Sequence, residues 1–351
     1  MRNLICILIV LTHIPEILAQ SSLEFSFNKE SISISRYSSS PDIVKIYRGH
    51  LTEKEIKNTS AILGQIVVNL DNLQFAPIVP FSINQEYTIV YDDFIEYFKI
   101  NIPKSYSYLT VTSVYPSAKK IPANILKWYI QFSEPINETW VYKHVQFRNA
   151  QGDTLSRAAL ALNNALVSDD GKLLTIWVEP GRQKRDLIPN KQLGAVFETG
   201  KSYTLWIQKT LKNKDGTPMQ NDYVHYFEIE KADRKQPEIT TWTVDTPMPN
   251  SISDLTVHCN ESLDYGSIIH SLAIQDKNGK EVMGTWTLQN AETILSFTPL
   301  LPWIADTYKI ICNSRIEDLA GNNLERMFDQ NIEKPSISNH PKNYTLDFII
   351  E

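Results

Sequence analysis

Apolar side chains recur at every second position in short runs along most of the chain. Residues 128–132 and 203–207 are two such runs, and turn residues follow the runs at intervals of about 8–12 residues, as in antiparallel sandwiches. Long helical periodicity is nearly absent. Residues 52–59 and 155–164 are short helical candidates of no more than a turn or two. The pattern predicts an all-β fold.

One order of elements recurs three times. Each copy has a strand, a proline-broken connection and a second strand that begins with tyrosine, and such internal similarity is typical of repeated structural units. The copies are Leu73–Phe81 with Tyr87, Ile176–Pro180 with Tyr203 after a longer insert, and Leu295–Trp303 with Tyr308. Upstream, Trp128–Ile136 aligns with Leu255–Leu263 in the same order. The repeated order predicts three similar domains.

The first residues have the pattern of a secretory signal peptide. Arg2 precedes an apolar run at 4–11, and a small residue, Ala19, follows. The run is much shorter than the ~20 residues that span a bilayer, so we expect cleavage after Ala19 or Gln20 rather than a retained anchor. The mature chain is then exported, to the periplasm, the cell surface or the medium, with no membrane span.

The alignment of the repeats sets Cys259 opposite Phe132 and Cys312 opposite Ile207. By strand parity all four side chains point inward, so the two cysteines would face each other across one sandwich. Two interpretations follow, a disulfide or a pair of buried thiols. An oxidising compartment favours the disulfide between Cys259 and Cys312.

Composition excludes several functional classes. The chain has 351 residues, 42% of them hydrophobic and 21% charged, which is ordinary for a globular protein. A net charge of −6 gives no basic footprint for nucleic acid or for an anionic membrane. Neither a Gly-x-Ser-x-Gly elbow nor a His-Glu-x-x-His motif is present. We therefore expect no enzyme, no catalytic residues, no cofactor and no metal.

The insert at 181–200 is the first candidate for binding. It joins two strands that the third repeat joins with about nine residues, and it carries Arg182, Lys184, Arg185 and Asp186. Long loops on a rigid sandwich often bind ligands, and arginine suits carboxylate or phosphate partners. The alternatives are a solvated basic loop or a loop fastened to a neighbouring domain through Arg–Asp pairs.

Outward aromatic side chains are the second candidate. If Ile176 and Val178 face the core, Trp177 faces out, and parity gives the same for Tyr129 and Trp206. Tyr129 and Trp177 could share one sheet face as a platform for a glycan or a peptide. The alternative is packing against the next domain.

Several of these segments resemble one family, the secreted bacterial proteins with S-layer-type (SbsA-like) Ig-like domains. The resemblance rests on Phe132–Pro135, on the unit from Phe297 to Tyr308, on Glu317–Asn322, and on Glu179–Pro189. It implies Ig-like sandwiches with extracytoplasmic spacer, assembly or binding roles rather than catalysis.

Three tandem Ig-like antiparallel β-sandwich domains are the resulting prediction. They span 23–104, a divergent N-terminal copy, then 105–231 and 232–351, the last with a closing strand at Tyr344–Ile350. We expect a non-enzymatic structural or binding module of the bacterial cell envelope whose partner is a protein or a glycan. The alternative is a carbohydrate-binding or enzyme-accessory protein that uses the outward aromatics or the Arg182–Arg185 loop.

Overall fold

The computed structural model describes residues 25–35, 44–69, 72–101, 108–139, 141–329 and 341–351. The predicted signal peptide at 1–19 lies outside the described residues. The chain divides into two compact units, 1–104 and 105–351. In the described ranges the α-helices are only four to six residues long, and strands form six sheets. The fold is all-β, as predicted.

The first unit is a sandwich of two antiparallel sheets. Its strands and helix are β1 (Phe25–Phe27), β2 (Ile32–Ile34), β3 (Lys45–Arg48), α1 (Glu53–Ile56), β4 (Gly64–Asn69), β5 (Asn72–Pro77), β6 (Glu86–Tyr91) and β7 (Phe94–Lys99). The sheet orders are β1-β2-β5-β4 and β3-β6-β7. Alternate apolar residues such as Ile32, Ile34, Leu73 and Phe75 point into one core between the sheets. The capping box of Thr52 and Glu55 starts α1.

The second unit begins with a sandwich of two four-stranded sheets. Its elements are β8 (Val111–Tyr115), β9 (Lys120–Pro122), β10 (Lys127–Phe132), α2 (Val141–His144), β11 (Val145–Asn149), β12 (Leu166–Val167), β13 (Leu173–Trp177), α3 (Pro180–Gln183), α4 (Ile188–Leu193), β14 (Ser202–Ile207) and β15 (Tyr223–Glu230). The sheet orders are β12-β13-β10-β8 and β11-β14-β15-β9, and only β9 pairs in parallel among these strands. We call this part the second sandwich.

The same unit continues into a third sandwich. Its elements are β16 (Thr243–Asp245), β17 (Leu255–His258), α5 (Tyr265–Ile268), β18 (Leu272–Asp276), β19 (Gly284–Gln289), β20 (Ile294–Pro299), β21 (Asp306–Asn313) and β22 (Asn343–Ile350), with a 3-10 turn at Ile239–Thr241. The sheet orders are β16-β17-β20-β19 and β18-β21-β22. The predicted closing strand is confirmed, because β22 pairs with the whole length of β21. The division into three domains at the predicted boundaries stays a prediction.

The repeated tyrosine has one structural role in all three sandwiches. Each ring is buried, and each hydroxyl accepts a backbone N–H four or five residues upstream, from Ser82 to Tyr87, from Glu198 to Tyr203 and from Ile304 to Tyr308. Each ring also meets a buried aromatic plug edge-on and stacks on an aromatic residue of the next strand. The plugs are Phe81, Phe197 and Trp303, and the stacking partners are Phe98, Phe227 and Phe348. This arrangement resembles the tyrosine corner of Ig-like sandwiches.

The predicted disulfide is not formed. Cys259 and Cys312 both point into the core of the third sandwich, as parity requires, but they are free cysteines and do not lie at disulfide distance. Burial raises the pKa of the Cys312 thiol to about 12, and burial followed by the nearby Cys312 raises the pKa of Cys259. Both thiols therefore behave as small apolar side chains.

The two short helical candidates have different outcomes. Residues 52–59 contain α1, whereas residues 155–164 form turns and an isolated bridge between Ala159 and Val178. Arg157 has a φ of 49°, which interrupts helical geometry there. In the part of the chain that the structure describes, no helix has the length and apolarity to cross a membrane.

Candidate functional site at the junction of two sandwiches

A partly buried lysine joins the second sandwich to the third. Lys127, the first residue of β10, lies 3.2 Å from the Asp264 carboxylate and 2.6 Å from the Glu317 carboxylate. Its side chain is 12% exposed, and that of Asp264 is 4% exposed. Burial by itself would lower the pKa of Lys127, but the two carboxylates and their hydrogen bonds outweigh it and raise that pKa. Lys127 therefore stays charged and compensates both acids.

Tyr129 lies beside this ion pair rather than on an open surface. It is 6% exposed, and its hydroxyl contacts both carboxylate oxygens of Asp264, at 2.9 and 3.0 Å. Burial, followed by the charge of Asp264, raises the pKa of Tyr129, so the phenol stays protonated and donates. Gly266 is required here, because a Cβ at that position would collide with the Tyr129 ring. Of the two open interpretations of Tyr129, domain packing matches its position.

The Glu317–Asn322 segment shapes the other side of the junction. Asp318 accepts hydrogen bonds from the backbone N–H groups of Ala320 and Asn322 and from the Asn322 side chain. This turn presents Glu317 to Lys127. Gly321 has a φ of 77° and lies so close to Leu126 that a Cβ would collide with the leucine side chain. A glycine is thus needed both for the turn and for the close approach.

Further polar contacts extend the junction on either side of Lys127. The Ser117 N–H and hydroxyl donate to Glu292, with the hydroxyl at 2.6 Å, and Asn124 exchanges two hydrogen bonds with the backbone of Asp233. Tyr115 and Tyr265 stack with their ring centroids 3.9 Å apart. Because these contacts are specific and directional, they define one relative orientation of the two sandwiches.

The insert residue Arg182 is structural. It is 8% exposed, and its guanidinium donates to backbone carbonyl groups of two segments, one before the insert and one within it. The acceptors are the carbonyls of Ser156, Arg157, Leu193, Gly194 and Ala195. Arg182 is therefore occupied in closing the insert and has no donors left for a ligand.

The neighbouring charged residues of the insert lie nearer to solvent. Arg185 donates to Asp329 at 2.7 Å, and Lys184 lies 4.4 Å from the centroid of the Phe328 ring. Both partners belong to the segment that follows the Glu317–Asn322 turn. Asp186 is exposed and has a φ of 67°, as in a tight turn. This geometry matches the alternative of a loop fastened to the next sandwich through an Arg–Asp pair.

Trp177 is half-buried, and the Lys127 ammonium lies 5.1 Å from its ring centroid. It therefore shares the lysine of the junction with Asp264 and Glu317. Trp206, the third aromatic expected to face out, lies elsewhere, on the opposite sheet of the second sandwich. The two predicted platform residues thus contact the junction, while Trp206 stays apart from it.

Three carboxylates come together beside the linker between the sandwiches. Oxygen atoms of Asp233, Glu261 and Asp318 all lie within 4.8 Å of one another. Burial raises the pKa of Asp318 to about 8, and burial together with the charge of Asp233 raises that of Glu261 to about 7. Within the described ranges this is the one group with the ligand spacing of a cation site, and Asp318 already accepts three hydrogen bonds within its turn.

Sequence reasoning did not identify Lys127, Asp264 or Glu292 as junction residues. Their contacts join positions more than 130 residues apart, and nothing in the local pattern signals such pairs. The available signal was weak, a lysine at the start of an apolar strand and a conspicuous acidic turn at Glu317–Asn322. Parity did identify the outward direction of Tyr129, but not the domain that covers it.

Comparison with known proteins adds no assignment. No family model and no curated protein matches the chain. Among solved structures, the chain is similar to the N-terminal part of the bacterial S-layer protein SbsC, with a TM-score of 0.24 and 14% identity over 58% of this chain, and it spans 40% of that chain. It is also similar to the chicken CNTN1 FN1–FN3 domains, with a TM-score of 0.21 and 11% identity over 94% of this chain and 98% of that one. A structure of titin domains I67–I69 is similar with a TM-score of 0.20 and 9% identity, over 94% of this chain and 93% of that one. At such scores the fold rests on the strand pairing of the chain itself.

Proposed function

We propose that the chain is a non-enzymatic, exported structural module of the bacterial cell envelope, in which the second and third sandwiches act as one rigid spacer. The observation that carries this proposal is the junction centred on Lys127. Its charge is compensated by Asp264 and Glu317 from the next sandwich, and Tyr129 donates to the same acid. Removing one partner of such a buried pair is costly, so the pairing penalises any other orientation.

Two further features support a spacer. The insert at 181–200 is closed by Arg182 and contacts the third sandwich through Arg185, so it reinforces the junction. The resemblance of Phe132–Pro135 and Glu317–Asn322 to SbsA-like domains supports an extracytoplasmic location. The buried, protonated thiols of Cys259 and Cys312 offer no nucleophile for catalysis.

Rigidity is tested by spin-label distances in the full chain. The exposed residues Gln151 and Asn278 occupy equivalent hairpin turns in the two sandwiches, and Cys259 and Cys312 are buried. The third cysteine of the sequence, Cys6, is replaced by serine. Gln151→Cys with Asn278→Cys should give one narrow distance distribution, and adding Lys127→Met should broaden it. A broad distribution in the chain with native Lys127 would contradict a rigid spacer.

Export is tested separately. A fusion of residues 1–30 to a reporter active only outside the cytoplasm should be active, and the N-terminus of the mature full chain should begin at Gln20 or Ser21. A reporter without activity, or an intact N-terminus on protein recovered from the cytoplasm, would contradict an envelope role.

A further inference from the structure

An arginine without an acidic partner lies on the outer face of the second sandwich, on the sheet β11-β14-β15. Arg148 places the central carbon of its guanidinium 3.2 Å from the centroid of the Trp206 ring. The Nε atom is buried and donates to no acceptor, and in the described ranges no carboxylate lies within ion-pair distance of this guanidinium. A cation stacked on an aromatic ring keeps its in-plane N–H groups directed away from the ring face.

The neighbouring residues build a groove around this arginine. Thr204, in the central strand β14, pairs with Arg148 on one side and with Tyr226 on the other, so the two side chains stand about 10 Å apart on the same face. Tyr226 is 72% exposed. The groove has a volume of about 440 Å³, and Ser202 adds a hydroxyl to its lining. Such a volume lies in the range of small-molecule sites.

The aromatic wall is held in place before any ligand arrives. The Trp206 indole N–H donates to Asp222 at 3.2 Å, and the second oxygen of Asp222 accepts the backbone N–H of Lys209 at 2.7 Å. Both oxygens of Asp222 are therefore engaged with uncharged donors. The positive charge of Arg148 thus remains available to an anionic ligand.

We infer that this groove binds an acidic saccharide, with the sugar ring on Tyr226 and its carboxylate on the guanidinium of Arg148. Arginine matches a carboxylate with two parallel hydrogen bonds, and an exposed tyrosine offers a flat apolar surface with a polar edge. An extended acidic peptide fits less well, because β14 is hydrogen-bonded on both sides and the outer edge of β11 beside Arg148 already pairs with residues 153–155. The inference is independent of the spacer role.

The test is a titration of the full chain followed by saturation-transfer NMR and tryptophan fluorescence. The probes are glucuronic acid, a linear oligouronate, glucose as the neutral counterpart, and a short glutamyl peptide. Glucuronic acid should bind saturably and at least tenfold more tightly than glucose. If the oligouronate binds more tightly than the monomer, the ligand is a polysaccharide segment, and equal affinities indicate a free sugar acid.

Variants identify the site. Arg148→Gln should weaken glucuronic acid binding at least tenfold, while Arg315→Gln, which removes the same charge from an exposed position on the third sandwich, should leave it unchanged. Tyr226→Ala should weaken it several-fold, and Tyr108→Ala, at another exposed tyrosine, should not. Because Tyr226 is largely exposed, that variant tests the site even if Arg148→Gln fails to fold.

Three results would overturn the inference. Glucose could bind as tightly as glucuronic acid, no uronate could bind saturably, or the glutamyl peptide could bind where the uronates do not. An affinity for glucuronic acid that is the same in Arg148→Gln and Tyr226→Ala as in the original chain would also refute it, because the ligand would then bind elsewhere.

Discussion

The second and third sandwiches share one plan and differ in where they carry charge. The turn after the tyrosine strand is built alike in both, since the side-chain oxygen of Asn213 accepts the N–H of Thr217 at 2.8 Å and that of Asp318 accepts the N–H of Asn322 at 2.9 Å. The second sandwich uses a neutral amide, and the third uses a carboxylate next to Glu317. The difference teaches that the turn requires only the acceptor, whereas the charge that pairs with Lys127 is carried by the preceding residue, Glu317.

The cores differ in a similar way. Phe132 and Ile207 fill two buried positions of the second sandwich, and Cys259 and Cys312 fill the aligned positions of the third. The third sandwich thus has smaller side chains where the second has large ones.

Substitution at the aligned core positions gives the largest expected effect. Phe132→Ala should lower the free energy of unfolding by about 3–5 kcal/mol, because it leaves a cavity in a fully buried site. Cys259→Ala removes a single atom and should cost about 1 kcal/mol, comparable with one methylene. Urea denaturation followed by tryptophan fluorescence measures both. Equal costs would show that Cys259 contributes more than its volume, as a disulfide would.

Substitution at the junction has the second-largest expected effect on the free energy of unfolding. Lys127→Met should lower the free energy of unfolding by about 3 kcal/mol, because it leaves the acids Asp264 and Glu317 without their cation in a partly buried place. The matched control is Lys120→Met, whose partner Glu230 lies 3.7 Å away with both side chains well exposed, and which should cost less than about 1 kcal/mol. Chemical denaturation of the two variants in one buffer makes the comparison. Equal costs would remove the junction as a source of stability.

The parts of the structure that follow from local pattern were predictable from the sequence. Alternation and turn chemistry gave the strands, the repeat alignment gave the equivalent tyrosines, and parity gave the inward direction of Cys259 and Cys312. Strand parity gives the direction of a side chain but not the distance between two sulfur atoms, and for that reason the prediction of a disulfide was wrong. The partner of Tyr129 depends on how two sandwiches meet, and a contact with Asp264 across 135 residues leaves no periodic trace in the sequence. The same holds for the groove between Arg148 and Tyr226, which joins two strands through β14.

The carboxylate group at the linker predicts a pH effect confined to the third sandwich. The pKa of Glu261 is raised from 4.5 in the unfolded chain to about 7 in the folded chain, first by burial and then by Asp233. A raised acid pKa gives stability that is fully present below about pH 4.5 and is lost as the pH rises through about 7. At pH 8 the ionised Glu261 therefore destabilises the fold, and Glu261→Gln, which keeps the acceptor but not the charge, should be more stable there by about 1 kcal/mol after allowance for partial exposure.

At pH 4.5 the same substitution should have little effect, because Glu261 is then protonated in the folded chain. Thermal unfolding between pH 4.5 and 8 in buffer with a chelator measures the difference, and the exposed Glu281→Gln is the control that should leave the profile unchanged. If Glu261→Gln follows the pH profile of the original chain, the pKa of Glu261 is not raised in the folded chain.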